Sequence, residues 1–124
     1  KTKILDVGCG TGISSDVGCF VVGIDPSFGL LKCNRHLKIL GAAEALPFKN
    51  NSFDYVISVT AIHNFSDITR SINEMKRVGK KDFVFSVLKK SGKVEVIRQA
   101  IESNFKISKE IEEEKDRIFI CSKA

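Results

Sequence analysis

Short apolar runs alternate with short amphipathic ones along this chain, and the alternation predicts strands and helices in turn. Lys3–Val7, Leu37–Leu40, Phe53–Val59 and the segments 20–24 and 82–88 are near-continuous in Val, Ile, Leu and Phe. That is the pattern of strands buried on both faces. Between the fourth and fifth runs, Ile68, Ile72, Met75 and Val78 recur at helical spacing. Asp67 stands before them as an N-cap and Gly79 after them as a stop. A second helix is predicted from about residue 91 to 104, with Val94, Ile97 and Ile101 on one face. Segments 105–111 and 117–121 read as strands around the acidic turn 112–116, and so short a turn joins antiparallel neighbours. The expected architecture is α/β: five parallel strands, helices on both faces, and a C-terminal antiparallel hairpin.

Length and charge narrow this picture. The 124 residues suffice for one domain, 1–124, with a single core. The chain enters a strand at once, so an N-terminal cap is absent or lies upstream. No apolar run approaches the ~20 residues that span a bilayer. Cys9, Cys19, Cys33 and Cys121 form no C-x-x-C pair and no metal-ligand spacing with a histidine, which suits small buried residues in a reducing cytoplasm and no metal site. The net charge is +5, and residues 66–124 carry +4 of it. Such a surplus hints at an anionic partner.

The chemistry concentrates at residues 6–12, Asp-Val-Gly-Cys-Gly-Thr-Gly, between a strand and the start of a predicted helix. Glycines there let the backbone turn sharply and approach a ligand. The helix start offers unpaired N–H groups to an anion. Asp25, at the end of the second strand, is placed to accept ribose hydroxyls. A nicotinamide site would carry G-x-G-x-x-G, but here Gly8, Gly10 and Gly12 are followed by Ile13. Asp6, ahead of the first glycine, would repel a pyrophosphate and attract an ammonium group. Only residues 8–19 are available for the first crossover, near the lower limit for a parallel connection.

These segments, with Gly-Ile-Asp-Pro-Ser at 23–27, Ala-Glu-Ala-Leu-Pro-Phe at 43–48 and Ser-Phe-Asp-Tyr-Val-Ile-Ser at 52–58, resemble the class I methyltransferases of the quinone-biosynthesis (UbiE-like) type. The resemblance implies a Rossmann-like seven-stranded sheet, S-adenosylmethionine as cofactor and methyl transfer by in-line displacement. Carried over, it sets Asp6, Gly8 and Gly10 at the methionine part, Asp25 at the ribose and Pro26 beside the adenine. Ala43 would offer its N–H to the adenine ring and Val59 would line the methyl pocket. Asp54 would fix the start of its strand. The family commonly has Gly-Asp-Ala where this chain has Gly41-Ala42-Ala43, so the usual acceptor for the adenine amine is missing. Glu44 would replace it only if the loop shifts.

His63 follows the fourth strand, where related enzymes carry a Leu-His-His segment, and is the candidate for accepting a proton from the acceptor. His36 lies in a basic connection and reads as surface. Lys89, Lys90 and Lys93 follow the fifth strand and would flank the mouth, which suggests an acceptor with an anionic portion. Lys76, Arg77, Lys80 and Lys81 fall at the opposite edge. The expected reaction is methylation of a small molecule. The alternatives are an RNA or protein acceptor handled with a partner subunit, and a cofactor-binding module without turnover.

Overall fold

The structure, a computed structural model, describes residues 2–9, 20–27 and 37–123. Gly10, Gly12, the segment 13–18 expected as the first crossover helix, and His36 lie outside the described residues.

The apolar runs form β1 (Lys3–Val7), β2 (Phe20–Asp25), β3 (Leu37–Leu40), β4 (Phe53–Val59) and β5 (Gly79–Leu88). Helix α1 spans Ile68–Val78, helix α2 Val94–Asn104, and the chain ends in β6 (Phe105–Glu112) and β7 (Asp116–Lys123). All seven strands join one sheet in the order β3-β2-β1-β4-β5-β7-β6. The pairs among β1 to β5 are parallel, and β5–β7 and β6–β7 are antiparallel. This is the expected sheet with its closing hairpin. Because the strand order reverses between β1 and β4, the loops leaving both strands open on the same carboxyl edge, where such sheets place ligands.

Strands β2, β6 and β7 differ from expectation by one or two residues at their ends, and two boundaries move by three. Gly79 ends α1, but in an extended conformation (φ −90°, ψ 145°) that starts β5 three residues earlier than the apolar run implies. Space explains the glycine there: a Cβ would lie 2.5 Å from the Phe83 ring and 2.8 Å from Val56. Helix α2 begins at Val94 because Lys89–Ser91 first forms a separate 3-10 turn that Gly92 ends at φ +72°.

Asp67 caps α1 as predicted, its side chain accepting from the Arg70 N–H. Ile72, Met75 and Val78 are fully buried. Ile97 and Ile101 of α2 join them over Phe83 and Phe85, and the Phe105 ring packs 4.5 Å from that of Phe83. Each of these side chains contributes about 1.5–3 kcal/mol on burial. This core anchors β4 and β5, so the loops leaving their carboxyl ends rise from a rigid base. At the other end of the hairpin, Ser108 is an extra residue in β6 and donates to the Ile120 carbonyl.

Candidate cofactor and acceptor site

The carboxyl ends of β1 and β2 are tied together by one oxygen. The Ile24 carbonyl accepts from both Gly8 (2.8 Å) and Cys9 (3.2 Å). To make that hook, Gly8 adopts φ +79°, a left-handed conformation that other residues adopt only at a cost. Gly8 and Cys9 therefore lie against the end of β2, next to Asp25. That carboxylate is nearly buried, and its Oδ1 accepts from the Ser27 N–H at 2.8 Å, which fixes its orientation. Asp6 is fully buried in the middle of three strands, on one rung with Gly23 and Ile57.

The end of β3 joins the same edge, because Gly41 donates to the Asp25 carbonyl at 3.1 Å. Ala43 is buried in the turn that follows, closed by Ala45 N–H to the Ala42 carbonyl. Pro26 is exposed beside Asp25, and Val59 is 38% exposed at the end of β4. Thus Asp6, Gly8, Asp25, Pro26, Ala43 and Val59 share one edge of the sheet. The donor set suits the expected cofactor: a buried carboxylate for a cationic group and an oriented one for vicinal hydroxyls.

Glu44 also lies there, but one of its oxygens is committed. Its Oε2 accepts from the Asp67 N–H at 3.0 Å and ties the β3–β4 connection to the start of α1. The same connection is fastened farther along. Leu46 N–H donates to Glu74, and Arg77 donates to the carbonyls of Leu46 and Phe48. The Arg77 guanidinium holds the Glu74 carboxyl below the usual range. The sequence places Arg77 only among the basic residues of the opposite edge, since nothing local specifies Glu74 and the loop carbonyls as its partners.

Beyond β4 the chain makes a tight corner. Thr60 sits at φ +49° while its N–H donates to Ser86. Ile62 is fully buried and anchors the 3-10 turn Ile62–Asn64. Strain of about 1–3 kcal/mol at such a β-branched position persists only where surrounding contacts hold it. His63 projects from this turn, and its Nδ1 is buried without a hydrogen-bond partner among the described residues. Its carbonyl accepts from Lys93 Nζ at 2.9 Å. The turn is thereby held from both sides, by Lys93 on one and by the contact of Ala61 and Phe65 with Gly8 on the other.

The three lysines of the expected mouth are unequal. Lys89 pairs with Glu112 at 3.4 Å, and its N–H donates to the Lys115 carbonyl. Arg117 and Lys89 together hold the Glu112 carboxyl below its usual range. Lys93 is directed at His63, and Lys90 is exposed. Asp54 keeps the structural role read from the sequence: it accepts from the Lys3 N–H and from Lys80 at the far edge.

Residues 5–87 match the family described as Methyltransferase domain. The chain belongs to this family. S-adenosylmethionine is accordingly the cofactor of this methyltransferase domain. The domain is 35% identical over 109 residues to the protein MJ1252 of Methanocaldococcus jannaschii, covering 83% of this chain and 43% of that protein. It is 40% identical over 87 residues to the demethylmenaquinone methyltransferase of Renibacterium salmoninarum, covering 63% and 37%. The chain thus spans less than half the length of either relative. The crystal structure of the PH0226 protein from Pyrococcus horikoshii shares the fold, with a TM-score of 0.87 at 19% identity over 100% of this chain and 83% of that one. No described helix is long and apolar enough to cross a membrane.

Proposed function

We propose that this domain, residues 1–124 acting as one unit, transfers a methyl group from S-adenosylmethionine to a small-molecule acceptor placed against His63. The observation that carries the reading is the Ile24 hook, which sets the glycine turn, Asp25 and the His63 corner side by side. When bound, the cofactor supplies an activated sulfonium methyl. The chain's task is then alignment and exclusion of water. Asp6 would hold the cationic methionine end with Gly8 and Gly10, and Asp25 the ribose hydroxyls. Ala43 N–H and Pro26 would hold the adenine, with Glu44 beside it, and Val59 would face the methyl group. His63 would take a proton from an acceptor whose nucleophile carries one.

The charge of this edge favours a compact acceptor over a polyanion. Glu44, Asp67, Glu112, Glu113 and Asp116 lie along it, and Lys89 is already paired. The acceptor's anionic portion, if it has one, would meet Lys90. The relative named as a demethylmenaquinone methyltransferase supports a ring-bearing small acceptor. A cytoplasmic setting belongs to the proposal and is supported by Cys9 and Cys121, buried thiols that are not joined in a disulfide.

The deciding experiment is calorimetry with S-adenosylhomocysteine and with NAD, followed by tritiated methyl transfer to a soluble demethylated naphthoquinol. Binding of the first ligand, none of the second, and label in the quinol fraction are expected. NAD binding without a response to S-adenosylhomocysteine would overturn the cofactor assignment. Cofactor binding with no label transferred would overturn the acceptor class.

A further inference from the structure

The surplus positive charge of the sequence has a definite place in the fold, and it is not the cofactor edge. The N-terminal ends of β1 and β5, the C-terminal ends of α1 and β7, and the start of β6 meet at the opposite, amino edge of the sheet. They bring Lys3, Lys76, Lys80, Lys81, Lys106 and Lys123 to one rim. Lys80 pairs with Asp54. Among the described residues, Lys76, Lys81 and Lys123 have no carboxylate within ion-pairing distance.

These three are crowded. Lys81 and Lys123 are the sequence neighbours of the Asp82–Ser122 rung, and Lys76 lies near Lys123. Like charges brought close together are unfavourable. Lys123 is partly buried, and its Nζ donates to Asn51 Oδ1 at 2.8 Å, a neutral partner. Burial, and then the nearby Lys76 charge, make its ammonium easier to deprotonate than usual. Asn51 itself is held in the left-handed region (φ +54°) with its N–H on the Arg77 carbonyl. The corner thus collects cations at a cost that folding alone does not require, and an anion would relieve that cost.

We propose that this rim, centred on Lys76, Lys81 and Lys123, binds the phosphodiester backbone of RNA. Its cations stand on β1, β5, β7 and β6, spread over about 19 Å at the usual strand spacing, and β4 between them contributes Asp54, already paired with Lys80. A row of point charges matches a linear polyanion better than a single phosphate. Asn50, Asn51 and Ser122 lie among the lysines and can hydrogen-bond phosphate and sugar oxygens. Along the described rim the exposed large apolar side chains are Phe20, beside Lys3, and Tyr55, beside Asp82, two aromatic rings on which RNA bases can stack. The rim lies roughly 20 Å from the cofactor edge, the length of a strand of six or seven residues. RNA held there docks the protein without occupying the methyl-transfer site.

The test is a salt titration of binding to a fluorescein-labelled single-stranded RNA, without cofactor or acceptor. The wild type is compared with Lys76→Gln/Lys81→Gln/Lys123→Gln, with Lys81→Gln alone, and with Lys90→Gln from the other edge. The log of affinity should fall linearly with log salt for the wild type. The triple variant should flatten that slope by roughly 2, at about 0.7 for each phosphate no longer neutralised, and Lys81→Gln by roughly 0.7. Lys90→Gln should leave the slope unchanged. Retained binding of S-adenosylhomocysteine shows that the variants are folded. Slopes indistinguishable between wild type and both amino-edge variants would overturn the proposal. So would a loss of slope in Lys90→Gln as large as in Lys81→Gln. Equal competition by polyglutamate or by phosphatidylserine vesicles would overturn the assignment to RNA. Because neither cofactor nor acceptor is present, none of these outcomes bears on methyl transfer.

Discussion

Gly8 and Ala61 approach so closely that a Cβ on Gly8 would stand 2.5 Å from the Cβ of Ala61. The glycine turn of the cofactor edge and the corner that carries His63 are therefore in direct contact. Gly8→Ala would have to open this contact and also adopt φ +79°. It should weaken S-adenosylhomocysteine binding by about tenfold or more, equivalent to at least ~1.4 kcal/mol. It should also destabilise the fold by about 1–3 kcal/mol. Calorimetry and urea denaturation measure the two effects. Wild-type affinity in the variant would show that the turn does not face the cofactor.

Asp25 offers a second, separable test. Asp25→Ala should weaken S-adenosylhomocysteine by ~2–3 kcal/mol, because charged hydrogen bonds to two hydroxyls disappear. Asp25→Asn keeps an oxygen for the Ser27 N–H and should preserve the thermal midpoint, while still losing part of the affinity. Unchanged affinity in both folded variants would place the ribose elsewhere.

The Lys93–His63 bond predicts a local dynamic change. The Asn64 and Phe65 amides are bonded within the corner, to the carbonyls of Ala61 and Ile62. Lys93→Met should speed their hydrogen exchange by about tenfold, reflecting a loss of roughly 1–1.5 kcal/mol of local stability. Lys93→Arg, which still reaches a carbonyl, should largely restore protection. Exchange that does not respond to Lys93→Met would mean that Phe65 and Ile62 hold the corner by themselves.

Glu74 sets a pH dependence. Its carboxyl is held below the ordinary value first by Arg77 and further by the Leu46 N–H. A group whose folded pKa is depressed contributes stability above its unfolded value, and that contribution is lost as pH falls through the folded value. The contribution of Glu74 should therefore be complete at pH 7 and fade below about pH 4.5. Glu74→Gln should lower the urea midpoint at neutral pH and converge with the wild type toward pH 3. A gap between the two proteins that stays constant over this range would contradict the assignment.

Local patterning determines much of this molecule. The apolar runs at Lys3–Val7, Leu37–Leu40 and Phe53–Val59 become strands at those residues. Ile68, Ile72, Met75 and Val78 become one helix face behind the Asp67 cap. These features depend on side chains within a few residues of each other, so sequence spacing carries them. The places of Gly8 and Asp25 are legible for the same reason, since both stand at strand ends.

What sequence spacing leaves open is decided by partners brought together from far along the chain. Glu44 is expected beside the adenine, and the fold adds a partner the sequence does not show, the N–H of Asp67, 23 residues away, on one of its oxygens. Lys93 reads as a cation flanking the mouth, and the fold sets it against the carbonyl of His63, 30 residues earlier. The sequence assigns basic residues to both edges but does not say which of them are compensated. The sheet does, because the starts of β1, β5 and β6 and the ends of α1 and β7 gather unpaired lysines at the amino edge, while Glu112 neutralises Lys89 at the other. Electrostatic interaction falls with distance through space and not along the chain, so only the tertiary structure can tell which charges compensate and which accumulate.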